Sequence, residues 1–300
     1  MRWFIYISIL LVSCTEMSLE EPFQGVEKMV SGGEVEITQL SDGRIKLEAK
    51  GYDMHTFRKW TGDLDTNENP LYISKADEAI KLKPTFEQIL NLHENNHTIT
   101  CSDALIGDVA KFDGVEITVA DKETVLNYIS EAKPLNTLCT SKIDGEINHL
   151  FDDVMEKYGS WDYVGDITHW DISNVTSADF LFSKSDFNQN IADWNVSNIT
   201  SMNMMFCFAT EFNHNLNKWN VSKAKSLVGM FLGARNFKGD IHDWKLNSAQ
   251  NLDQMFKLTT SYNHDLSTMC IESVNTEPKE FALGSALTKD RFPKWGNCKN

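Results

Sequence analysis

Phe187-Asn188-Gln189-Asn190-Ile191-Ala192-Asp193-Trp194-Asn195-Val196-Ser197-Asn198-Ile199-Thr200-Ser201-Met202-Asn203-Met204-Met205-Phe206 is one period of a pattern that fills the last half of the chain. Tryptophan returns at Trp170, Trp194, Trp219 and Trp244, at steps of 24, 25 and 25. Two residues after each stands Ile172, Val196, Val221 or Leu246, and twelve after each stands Phe182, Phe206, Phe231 or Phe256. A second ring precedes each tryptophan by seven, as Tyr163, Phe187, Phe212 and Phe237, and Tyr262 continues that series. A period of this length marks a repeat architecture, in which each turn buries its apolar face only against its neighbours.

Within a period, the branched residue, the tryptophan and the following aliphatic residue predict a short strand that stacks in parallel on the next turn. Thr200 to Phe206 opens on a hydroxyl suited to capping and places Met202, Met205 and Phe206 on one helical face, which predicts a short helix. One strand and one short helix per turn make an α/β repeat solenoid of the leucine-rich-repeat kind. Trp170, Trp194, Trp219 and Trp244, with Phe182, Phe206, Phe231 and Phe256, are its expected core. Asn188, Asn213 and Asn263 follow the second ring and are expected to satisfy backbone groups at the corner.

The period resembles the 25- to 26-residue repeat of the BspA-like bacterial surface proteins, and Phe187 to Phe206 is nearly that family's consensus. Worn copies flank it, one at Thr140-Ser141-Lys142-Ile143 with Leu150-Phe151, the other from Leu266 to Phe281. The tail through Trp295-Gly296-Asn297-Cys298 is similar to the terminal cap of such arrays. Repeats are thus expected over residues 140–281 and a C-terminal cap over 282–300. The resemblance implies adhesion to another surface through the face of the solenoid.

Ahead of the repeats, residues 101–139 form a compact capping unit. It holds the strand Val115-Glu116-Ile117-Thr118-Val119 and a helix capped by Asp121 that carries Val125, Leu126 and Ile129. Residues 88–100 are polar and expected as a linker. Residues 26–87 alternate as β-strands do, around Glu34-Val35-Glu36-Ile37, the Asp42-Gly43 turn and Arg44-Ile45-Lys46-Leu47-Glu48-Ala49. Gly51-Tyr52, Phe57-Arg58-Lys59-Trp60-Thr61-Gly62, Asn69-Pro70 and the stretch Ala79 to Phe86 follow. This small all-β module looks like the divergent internalin-type B-repeat, which implies a spacer or contact domain.

The chain opens with Arg2 and an eleven-residue apolar stretch, Trp3 to Ser13. A bilayer span needs ~20 residues, whereas a signal peptide needs no more than this. Leu11-Val12-Ser13-Cys14 resembles the lipobox of bacterial lipoproteins, which implies a lipidated Cys14, a signal peptide over residues 1–13 and a tether over 14–25. The expected location is the cell envelope, with the membrane reached through the lipid alone. Export permits disulfides, and the pairing expected is Cys101 with Cys139 and Cys270 with Cys298, each closing one end of the array. Cys207 is left unpaired.

A formal charge of −15 over 300 residues argues against nucleic acid, which needs clustered Lys and Arg. No serine elbow, phosphate loop or HExxH occurs, so no enzyme, cofactor or metal is expected. Asp166, Asn190, Asn215, Asp240 and Asp265 form a column suited to turn hydrogen bonds rather than to calcium. Lys223, Lys225, Arg235 and Lys238, with Lys245 and Lys257, gather positive charge on the third and fourth turns of an acidic chain. They are the candidate contacts for an acidic protein partner, and a glycan or an envelope scaffold is the alternative.

Overall fold

The computed structural model describes residues 29–42, 44–74, 81–95, 97–296 and 298. The signal peptide, Cys14 and the tether lie outside them, as do Gly43 and the segment 75–80. The chain divides into two compact units, one of residues up to Lys50 with Phe57–Thr85, the other of Gly51–Thr56 with Phe86 onward.

The first unit is built of small antiparallel sheets. β1 (Met29–Val30), β2 (Gly33–Gln39), β3 (Arg44–Gly51) and β5 (Leu71–Ser74) are ordered β1-β2-β3-β5, and β4 (His55–Gly62) pairs with β6 (Leu82–Gln88). The two-residue alternation explains the burial: Ile45, Leu47 and Ala49 are inside, as are Leu71 and Ile73 facing them across the ladder. Trp60 is fully buried and donates its indole N–H to the Glu68 carbonyl at 3.1 Å. The Asn69 side chain binds both the N–H and the carbonyl of Ala49, which pins the Asn69-Pro70 turn to β3.

The second unit opens with a hairpin where a linker was expected. β7 (Asn91–Leu92) pairs with β8 (Ile99–Thr100), and Ile89, Leu90 and Ile99 are buried with Cys101 and Cys139. The tip is polar because the Asn95 side chain accepts the N–H groups of His97 and Thr98 and so closes the turn itself. Cys101 is bonded to Cys139. β9 (Val109–Phe112) and β10 (Val115–Val119) are antiparallel, and β10 continues in parallel to β11 (Leu138–Cys139). Asp121 caps α1 (Lys122–Ser130) by accepting from the Thr124 N–H at 2.8 Å. Val125 and Ile129 of α1 are buried, whereas Leu126, assigned to the same face above, is 43% exposed.

From residue 140 the chain winds into stacked turns. One continuous core holds the four tryptophans and the four phenylalanines of the period, none more than 3% exposed. Like residues stack on like: Phe182, Phe206, Phe231 and Phe256 follow one another at 5.5–5.6 Å between ring centres. Phe187, Phe212, Phe237 and Tyr262 form a second column at 5.5–6.0 Å. Each tryptophan also ties its turn to the one before, Trp194 to the Ile167 carbonyl, Trp219 to Ile191 and Trp244 to Leu216, at 2.8–3.3 Å. Tyr163 does not begin the second column; it is 52% exposed and stacks on Tyr158, and Trp161 packs against Phe187 instead.

The first, worn turn keeps a helix, α2 (Asp152–Tyr158), but in the later turns the expected strand and helix are both replaced. Residues 191–199 form successive turns, with Trp194 N–H bound to Ile191 and Ile199 N–H to Val196. Parallel pairing runs instead through Ser177, Ser201, Ser226 and Asn251, at the start of the segment read as a helix. There, alternate N–H groups take different partners. Met202, Met204, Phe206 and Phe208 donate to Ser226, Val228, Met230 and Leu232 of the next turn at 2.7–3.0 Å. Met205, Cys207 and Ala209 donate back three residues within their own turn. Met204 and Phe208 have positive φ, as do Gly229 and Gly233 one turn on. A left-handed residue at every fourth position ends helix propagation and makes each such segment, a rung of the array, a chain of tight turns. Short parallel pairs close the two ends: β12 (Gly145–Glu146) with β13 (Val175–Ser177), and β14 (Cys270–Ile271) with β15 (Lys294–Trp295). Cys270 is bonded to Cys298, and Cys207 is unpaired and buried.

Candidate functional site

Each turn needs polar groups to satisfy its corners, and this accounts for most of the repeated Asp and Asn. Asp166, Asn190, Asn215, Asp240 and Asp265 each accept the N–H two residues ahead, at 2.8–3.2 Å. Asp171, Asn195 and Asn220 do the same one corner later. Asn188 accepts from the Asn213 N–H and Asn213 from the Lys238 N–H, so this column links one turn to the next. A further column went unrecognised in the sequence: Asn148, Asp179 and Asn203 each bind the serine hydroxyl and a backbone N–H of the following turn. Its signal is the repeated Ser-x-Asn/Asp at 177–179 and 201–203. Carboxylates committed in this way are poor ligands for a mobile cation, and among the described residues no group of three His, Cys, Asp or Glu could hold a metal ion.

Titratable groups follow the same structural logic. Burial lowers the pKa of His169, whose Nε2 lies 3.1 Å from the Leu138 carbonyl, so its ring is held neutral. Burial raises the Cys207 thiol and removes its nucleophilic form at neutral pH. His214 and His264 reach back to the carbonyls of Asn188 and Lys238, at 2.9 and 2.7 Å. Asp240 is pushed up by burial, but the backbone and side chain of His242 bring it below the ordinary carboxylate value.

What distinguishes one turn from another therefore faces outward. Lys223, Lys225, Arg235 and Lys238 are all exposed. Their column neighbours are neutral on both sides: Asn198 and Ser248, Thr200 and Gln250, Thr210 and Thr260, Asn213 and Asn263. Lys223 Nζ donates to Asn198 Oδ1 at 2.6 Å, which holds it along the array. The four do not form one cluster. Lys223 and Lys225 precede the rung that starts at Ser226, and Arg235 and Lys238 follow it, so the two pairs bracket a strip containing Val228 and Leu232. Phe208 and Leu258, on the neighbouring rungs, are 40% and 41% exposed.

A polar cleft of about 310 Å³ lies where the hairpin meets the first turns, lined among others by His93, Asn95, Thr98, Asp171, Asn174 and Asn195. These residues come from segments some eighty residues apart, and nothing local in the sequence foretold their meeting. Its lining includes no Phe, Tyr or Trp on which a sugar ring could stack.

Residues 146–290 match the family DUF285, described as a Mycoplasma protein of unknown function. DUF285 is a BspA-like repeat family. No curated protein and no solved structure matches the chain.

Proposed function

We propose that this chain is a lipid-anchored envelope protein of bacterial type whose repeat array binds another protein without catalysis. The observation that carries this reading is the third turn. On a scaffold whose repeated side chains are spent on the core and the corners, Lys223, Lys225 and Arg235 of that turn, with Lys238 at the start of the fourth, turn four outward positions basic while the same columns on either side stay neutral. Basic side chains around a partly apolar strip suit an acidic protein surface, because complementary charge steers the encounter and apolar contact supplies affinity. In this reading Cys14 carries the lipid, and residues 26–87 act as an internalin-type spacer ahead of the array.

Two measurements test it. Protease added to intact cells is expected to cleave the full-length protein, and Cys14→Ala is expected to release it from the membrane fraction. Protection until the envelope is opened would rule out a surface adhesin. With a partner in hand, Lys223→Glu with Lys225→Glu is expected to weaken binding at least tenfold at low salt and less at high salt. Unchanged affinity would remove these lysines from the interface.

A further inference from the structure

The rungs share one bonding rule, and the last rung breaks it. In the rungs that begin at Ala178, Met202 and Leu227, alternate N–H groups donate to the carbonyls of the following turn at 2.7–3.0 Å. The next rung continues the rule through Gln254, Phe256 and Leu258, which donate to Lys279, Phe281 and Leu283 at 2.8–2.9 Å. The matching donors on the last rung are the N–H groups of Glu280, Ala282 and Gly284. Glu280 and Gly284 have the positive φ of their counterparts Gln254 and Leu258, so the rung keeps its shape. Among the described residues these three N–H groups have no partner.

The C-terminal cap covers the core and leaves this edge. Phe292 and Trp295 close over Phe281 at 5.3 and 5.1 Å, and β15 pairs with β14 on the other side of the turn. Neither supplies a carbonyl to residues 280–284. Leu283 stands beside the edge 56% exposed, and Gly284 is exposed with it. The carbonyls of this rung are already taken: those of 279, 281 and 283 by the preceding turn, and those of 280 and 282 by Leu283 and Ser285. Over residues 279–283 the edge therefore offers donors alone.

We propose that this edge is a docking site for a rung-shaped segment of another polypeptide, one that presents alternate backbone carbonyls and an apolar side chain toward Leu283. The warrant is continuity with the interface already formed between neighbouring rungs from Ala178 onward. Main-chain pairing at an open edge is a general mode of peptide recognition. A second copy of this chain fits less well, because the cap precedes its first rung and Lys122 Nζ donates to the Glu146 carbonyl there. The inference does not depend on the basic third turn or on the anchor.

The test uses the full chain, isotopically labelled, titrated with a synthetic peptide of residues 250–260, which is the chain's own rung. Hydrogen exchange at Glu280, Ala282 and Gly284 is expected to be fast without peptide, while Gln254, Phe256 and Leu258 are slow. Peptide should slow exchange and move the resonances at the three edge amides saturably. Leu283→Asp should weaken that response at least tenfold with an unchanged melting temperature, since the side chain is exposed. Edge amides as protected as those of the inner rung without peptide would overturn the proposal, as would resonances unmoved at millimolar peptide. Protection that grows with protein concentration alone would overturn the occupant and assign the edge to a second copy.

Discussion

Trp219→Ala is expected to destabilise the array by about 3–5 kcal/mol. The side chain is 3% exposed, lies flat on Trp244 at 6.3 Å and 3°, and touches the Phe206 column at 6.3 Å. It also donates Nε1–H to the Ile191 carbonyl at 2.9 Å, so alanine leaves both a cavity and a buried acceptor with one bond fewer. Domains of this size commonly have only ~5–15 kcal/mol in total. The loss should centre on the third turn, because stability in stacked repeats is set largely by nearest neighbours. Urea unfolding of the wild type and the variant gives the comparison. Trp219→Phe separates the two contributions: it refills most of the volume, lacks the N–H, and should cost about 1–3 kcal/mol. An unchanged midpoint for Trp219→Ala would show that the turn is not packed as described.

The parts that were legible in the sequence are those in which a side chain's chemistry admits one use. A tryptophan at a fixed step has nowhere to go but the core, and Asn188 or Asp166 in a column of amides has a backbone N–H to satisfy. The backbone of the rung was not legible, for a specific reason. Met202, Met205, Phe206 and Ala209 are buried at spacings i, i+3, i+4 and i+7, the signature of a helix face. A chain of tight turns with a left-handed residue at every fourth position places its inward side chains at the same spacings. Only the glycines at 229, 233 and 284, in the columns of Met204 and Phe208, hinted at positive φ. The hairpin at 91–100 was hidden for another reason: its apolar residues, Ile89, Leu90 and Ile99, flank the polar run instead of alternating within it. For the candidate interface, exposure of the four basic residues was readable. Their division into two pairs around a rung required the path of the chain, as did the open donors at residues 280–284.

Gly239→Ala is expected to cost about 3 kcal/mol or more, although the residue adds no side chain to the ring columns and is buried at a corner between two turns. A Cβ there would stand 1.9 Å from the His214 carbonyl oxygen and 2.7 Å from its carbon, with the Phe237 ring edge also at 2.7 Å. The first two atoms belong to the backbone of the preceding turn, which no side-chain rotation can move aside. That backbone is held in place: His214 Nε2 lies 2.9 Å from the Asn188 carbonyl, and the Lys238 N–H next to Gly239 donates to Asn213 Oδ1. Room for a methyl group must therefore come from parting two turns, at the expense of the ring columns and the rung bonds between them. Gly159→Ala is the matched comparison. Gly159 has φ of 73° but nothing within 4 Å of its missing Cβ, so alanine there meets only the left-handed penalty of about 1–2 kcal/mol. If the turns approach as closely as the geometry requires, Gly239→Ala will unfold at lower urea than Gly159→Ala despite its unstrained φ. The reverse order would mean that the corner yields and that the spacing of the array is set by the core rings alone.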